Sequence, residues 1–178
     1  MSHPRATAGV AARAFVPAAL LLALALLAGT AGRAAAQTSG SASVTAEVQQ
    51  PIRVTKTNDL SFGTVFPGLN KTVGVTDGGA AAFAIQGQAG GNVNLTFTLP
   101  SSITSGGATL PIANWTARHS SANSPAAGTD FTPGASATAA AIGGGGFLYV
   151  FLGATAQPGA GQPAGTYTGT ATLTVTYF

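Results

Sequence analysis

The chain has 178 residues, with seven Lys plus Arg against four Asp plus Glu, no cysteine and only 6% charged residues. That length holds one domain or two small ones, and the missing cysteine excludes a disulfide framework, a Cys-type zinc site, a thiol nucleophile and a lipidated N-terminal cysteine. The formal charge of +3 raises the question of nucleic acid, which the positions of the charges answer.

Residues 1–36 read as a secretory leader. Arg5 and Arg13 make a basic start, and Ala14 to Ala28 form an apolar core of 15 residues, shorter than the ~20 needed to span a bilayer. Ala34-Ala35-Ala36 then offers a small-residue cleavage site before Gln37. The alternative is a retained N-terminal anchor, with Arg33 beside it. Cleavage removes Arg5, Arg13 and Arg33, leaving Arg53, Lys56, Lys71 and Arg118 against Glu47, Asp59, Asp77 and Asp130, which is four against four and zero net charge. No basic patch is then left to follow phosphates, so nucleic acid is not an expected partner. The expectation is export to the periplasm, cell surface or medium, with no membrane span after cleavage.

Residues 37–178 contain 22 Thr and 22 Gly among 142 residues, a composition that opposes helix. Their apolar residues repeat with period two instead. Ala42, Val44, Ala46 and Val48 alternate with polar residues. Shorter strands are predicted over Ile52–Thr55, Leu60–Val65, Thr72–Thr76, Ala81–Gly87 and Ile112–Arg118. From Asn92 to Leu99, Val93, Leu95, Phe97 and Leu99 share one face. Phe147–Leu152 (FLYVFL) is apolar on both faces and suits a central core strand. At the end, Thr occupies every even position from 166 to 176, opposite Tyr167, Gly169, Ala171, Leu173, Val175 and Tyr177. Turn chemistry separates these runs, as at Asn58-Asp59, Pro67-Gly68, Asp77-Gly78 and Pro158-Gly159. Ser120–Gly146, rich in Ala, Gly, Ser and Pro, reads as a long loop with one irregular strand. The fold expected is all-β, an Ig-like antiparallel β-sandwich of about seven to nine strands in a single domain over 37–178.

Enzymatic constellations are nearly missing. His119 stands alone in the mature chain, without a nucleophile elbow or an orienting acid. Four scattered acids and one His do not make a metal site. Gly143–Gly146 and Gly159-Ala160-Gly161 fit neither a dinucleotide fingerprint nor a P-loop. No catalytic residue, cofactor or metal is expected. Trp115 is a core anchor or, less simply, a sugar-stacking face. Three Asn-x-Thr triplets, at Asn70, Asn94 and Asn114, match a glycosylation acceptor pattern common by chance in such a composition.

The two ends carry the remaining signal. A sandwich has edge strands, and an apolar edge invites pairing with another chain. Ala42, Val44, Ala46 and Val48 have the alternation a donated strand needs; they could equally be an ordinary first strand.

The order of short elements across the mature chain resembles a bacterial secreted family known as domain of unknown function 4402. These elements are Pro51-Ile52-Arg53-Val54, Leu60-Ser61-Phe62-Gly63, Phe83-Ala84-Ile85-Gln86-Gly87, Leu99-Pro100, the Gly143–Val150 segment, and Gly165-Thr166-Tyr167-Thr168-Gly169 leading into Thr174-Val175-Thr176-Tyr177. The C-terminus is also similar to that of chaperone–usher pilins and spore-coat-U-like proteins, with Tyr177 penultimate and Gly165 fourteenth from the end. That resemblance implies that Gly165, Tyr167, Leu173, Val175 and Tyr177 belong to a strand paired by a periplasmic chaperone or a neighbouring subunit, with an usher as a further partner. It makes residues 42–48 the donor segment. Many such subunits have a disulfide and this chain has none. The function expected is an exported structural or adhesive surface subunit, pilin-like and assembled by strand exchange. The alternative is a self-contained secreted binding module for glycan or matrix, using the loops around Trp115 or Ser120–Gly146.

Overall fold

In the computed structural model, residues 38–178 are described; the leader reading lies outside them. The chain divides into two units, Met1–Thr45 and Ala46–Phe178. Of the first, residues 38–45 carry no regular secondary structure. The second holds ten strands and no helix among the described residues: β1 (Arg53–Asn58), β2 (Lys71–Val73), β3 (Ala81–Gln86), β4 (Asn92–Thr98), β5 (Ser102–Ser105), β6 (Ala108–Ser120), β7 (Thr129–Phe131), β8 (Thr138–Ala141), β9 (Phe147–Ala156) and β10 (Thr172–Tyr177).

All ladders are antiparallel. One sheet runs β1-β3-β9-β6-β5, with β2 added on β9 and β7 on β6; the other is β10-β4-β8. The core lies between them. From the first sheet come Ile85, Leu148, Val150 and Leu152, and from the second Val93, Leu95, Phe97 and Ala140. A smaller cluster of Leu110, Ile112, Ala154 and Ala156 lies under the same first sheet. The all-β sandwich expected from the period-two pattern is the fold observed.

β9 sits centrally, as its two-sided apolarity predicts, and runs on to Ala156. β4 and β10 alternate as read: Val93, Leu95 and Phe97 are buried while Thr172, Thr174 and Thr176 are exposed. Four expectations are corrected. Leu60–Val65 forms no strand; its backbone bonds to the rest of the fold through Ser61 N–H to Gly79 O. The terminal strand begins only at Thr172, and the stretch before it makes a single bridge, Thr168 with Thr104. The segment read as one loop with one strand holds both β7 and β8. β5 was not predicted at all, because Ser-Ile-Thr-Ser offers a single apolar residue.

β6 is bent by a bulge between Ala113 and Thr116, where Asn114 takes φ of 50°. Asn is one of the few non-glycine residues that tolerate this conformation.

Candidate functional site

β10 pairs with β4 on one side only, so it is an edge strand of the smaller sheet. Its register runs from Thr172 opposite Thr98 to Tyr177 opposite Val93, and Phe178 N–H continues it by donating to Asn92 O at 3.3 Å. In an antiparallel pair, residues of one parity exchange both bonds with the partner and the other parity points away. Phe178 therefore places Thr172, Thr174 and Thr176 toward β4, and turns the main chain of Leu173, Val175 and Tyr177 to the open edge. The side chains of those same three residues pack, half-buried, against the core.

Tyr177 closes one pole of the sandwich. Its hydroxyl accepts the Gln88 N–H at 2.6 Å and donates to Gln50 O at 2.8 Å. The ring end lies so close to Gly87 that a Cβ there would collide with the hydroxyl. The penultimate tyrosine thus pins the backbone just before Pro51 to the turn between β3 and β4.

Toward the other pole the sandwich opens into a cleft of about 940 Å³. Leu60, Phe62, Phe83, Ile103, Ile112 and Trp115 supply its apolar lining, and the segments 58–65 and 162–171 form its walls. Tyr167 packs on the smaller cluster; its hydroxyl donates to Pro163 O at 2.8 Å and accepts from the Gln162 side-chain amide at 2.7 Å. Gly165 lies against Ser105, where an added Cβ would come within 2.6 Å of the hydroxyl oxygen. The glycine at this position lets the wall lie flat on β5. Gly165 and Tyr167 are therefore not on β10 but in the cleft wall that leads into it, whereas Leu173, Val175 and Tyr177 share its edge. Backbone pairing in both walls is sparse: among the described residues, Thr166–Ala171 make backbone bonds only with Thr104.

Ala42, Val44, Ala46 and Val48 lie in a stretch, 38–52, with no strand assignment. Val44 is 93% and Val48 92% exposed.

Trp115 is half-buried and touches both apolar clusters. His119 packs at a tilt on Phe131, ring centroids 5.7 Å apart, and burial pushes its pKa below the ordinary value. Arg118 grips Asp130 with two bonds, 2.5 and 2.8 Å, and donates a third to Pro125 O. The bonds from Arg118 hold the Asp130 carboxyl below its usual range. No group of three or more His, Asp or Glu side chains gathers among the described residues.

The partners of Tyr177 were missed in the sequence because they are main-chain groups of Gln50 and Gln88, which no side-chain pattern marks. Also missed was the outward side of Phe147–Leu152, whose alternation was legible but was absorbed into the core. The family model described as "Domain of unknown function (DUF4402)" matches residues 52–177. No curated protein and no solved structure matches the chain.

Proposed function

The chain belongs to the DUF4402 family, and from that premise we propose that it is an exported structural or adhesive surface protein, a pilin-like subunit whose sandwich is completed by a strand from another copy. One observation carries the reading. Leu60–Val65 and Thr166–Ala171 have strand-type sequences, yet neither has a full strand partner, and both wall the same cleft, whose lining ends at Ala171 where β10 and its open edge begin. A sequence patterned for a sheet and left unpaired is a ladder with a member missing. An extended segment laid there would bond to the outward main chain of Leu173, Val175 and Tyr177, and its alternate side chains would enter the apolar lining.

The donor in this reading is residues 42–48 of the neighbouring copy, unpaired and alternating in Ala42, Val44, Ala46 and Val48. The pin at Tyr177 holds Gln50 at one pole, while the cleft opens toward the other. A donor leaving one end and an acceptor at the opposite end give a head-to-tail contact that does not close on itself. Before assembly, a periplasmic chaperone would hold the same edge of β10.

Sedimentation velocity on residues 37–178 and on residues 49–178 tests this. The longer chain should form a concentration-dependent ladder of oligomers, and the shorter should remain monomeric until a peptide of residues 37–50 is added and raises its melting temperature. Monomers at every concentration, with or without residues 37–48, would sink the reading.

A further inference from the structure

The face of the seven-stranded sheet turned away from the core carries a second site, independent of strand addition. Leu148, Val150 and Leu152 point inward, so Phe147, Tyr149 and Phe151 point to the opposite face. Phe151 is covered there at 6% exposure, but Phe147 is 39% exposed and Tyr149 half-buried. Their rings lie 6.1 Å apart and within 14° of parallel, a stacked aromatic pair on this face.

The register gives its surroundings. Gln86 and then Arg53 follow Phe147 across the sheet, and Ala84 and then Thr55 follow Tyr149. Ala84 is small enough to leave the neighbouring ring standing proud, while Arg53, Thr55 and Gln86 are exposed donors. On the far side, Arg118 and Asp130 share this face and neutralise each other. Lys56 is likewise engaged with Asp59. Arg53 has no carboxylate partner among the described residues, so the platform carries one uncompensated guanidinium at its edge.

We propose that this face binds an acidic polysaccharide. A pyranose ring presents a flat C–H face ringed by hydroxyls. The C–H face would lie on Phe147 and Tyr149, the hydroxyls would meet Gln86 and Thr55, and a uronate carboxylate would take the planar fork of Arg53. A neutral glycan uses the rings but leaves the guanidinium unanswered, and an apolar protein surface leaves all three polar groups unanswered.

The test is biolayer interferometry of the exported chain on immobilised polygalacturonate and on dextran. Binding is expected to polygalacturonate and not to dextran, weakening with salt. Phe147→Ala and Tyr149→Ala should each lower affinity about tenfold. Arg53→Gln should remove most of the binding and its salt dependence. Lys71→Gln, a cation at the opposite end of β9 by register, should leave binding unchanged. Arg53 is exposed, so that variant tests the site without touching the core. Equal binding to dextran overturns the acidic assignment; no binding to polygalacturonate, or binding unchanged in the ring variants, overturns the site.

Discussion

The hydroxyl of Tyr177 bridges two backbone groups, one from the chain's approach to β1 and one from the turn before β4. Tyr177→Phe keeps the ring and strips both bonds, leaving the Gln88 N–H without its acceptor. A lost partner of this kind costs about 1–3 kcal/mol, so urea unfolding of the variant should show a lower midpoint with an unchanged slope. An equal midpoint would mean that the pin contributes nothing to the isolated fold. The tyrosine was legible in the sequence as an end-of-strand residue; its partners were not, because main-chain acceptors look the same at every position. His119 gives a pH-dependent counterpart. Burial holds its imidazole below the ordinary value of 6.5, so the fold favours the neutral ring. As pH falls below 6.5, the unfolded chain takes up a proton that the folded chain resists, and stability declines until the lower, folded pKa is passed. Asp130 acts in a separate window. Its folded pKa is depressed by the bonds from Arg118, so its contribution is present above 3.8 and is lost as pH falls through the folded value. Melting temperature should therefore drop in two acid steps, and His119→Gln should abolish only the upper one.

Elements divide by whether their sequence contains the reason for their pairing. β9 does: a run apolar at nearly every position needs neighbours on both edges, and it lies third in the five-strand path of its sheet. β4 and β10 do as well, since alternation states which face is buried. Alternation does not state whether a partner strand exists. Leu60–Val65 and Thr166–Ala171 have the pattern without the ladder, and the sequence alone could not distinguish them from true strands. β8 is the reverse case, a strand made of Thr-Ala-Ala-Ala that forms because β4 supplies its partner and not from any propensity of its own. The candidate site was therefore legible in its residues and not in its shape. Hydrogen exchange should expose the difference. Amides of β9 should be the slowest in the isolated chain, while Phe62–Val65 and Thr166–Ala171 should exchange quickly, apart from Thr168 N–H, which is bonded to Thr104 O. In assembled material the unpaired amides of Thr166–Ala171 and of Leu173–Tyr177 should slow by at least about tenfold. Unchanged rates on assembly would place the contact between copies elsewhere.

For the molecule as a whole, polarity follows from where the two ends lie. β10 runs from Thr172, next to the cleft wall, to Tyr177 at the pole where Gln50 is pinned. A strand appended after Phe178 would start at that pole, and a hairpin loop of two to five residues would return it antiparallel along the open edge toward the cleft. The native donor segment leads into Gln50 at that same pole, so along this edge of its own molecule it would run parallel to β10, the less stable pairing, and donation by a neighbour avoids this. Residues 40–48 moved behind Phe178 on a four-residue turn, with residues 37–48 deleted from the N-terminus, should therefore yield a monomer that no longer self-associates. Filling the edge and the apolar lining adds ladder bonds and buried surface at once, and the melting temperature should rise by roughly 5–10 °C over residues 49–178 alone. A permuted chain that melts no higher than residues 49–178, or that still polymerises, would show that the edge of β10 and its cleft are not where residues 42–48 bind. Binding to polygalacturonate through Arg53 and the Phe147–Tyr149 pair should be the same in the permuted monomer, because that platform lies on the far side of the other sheet.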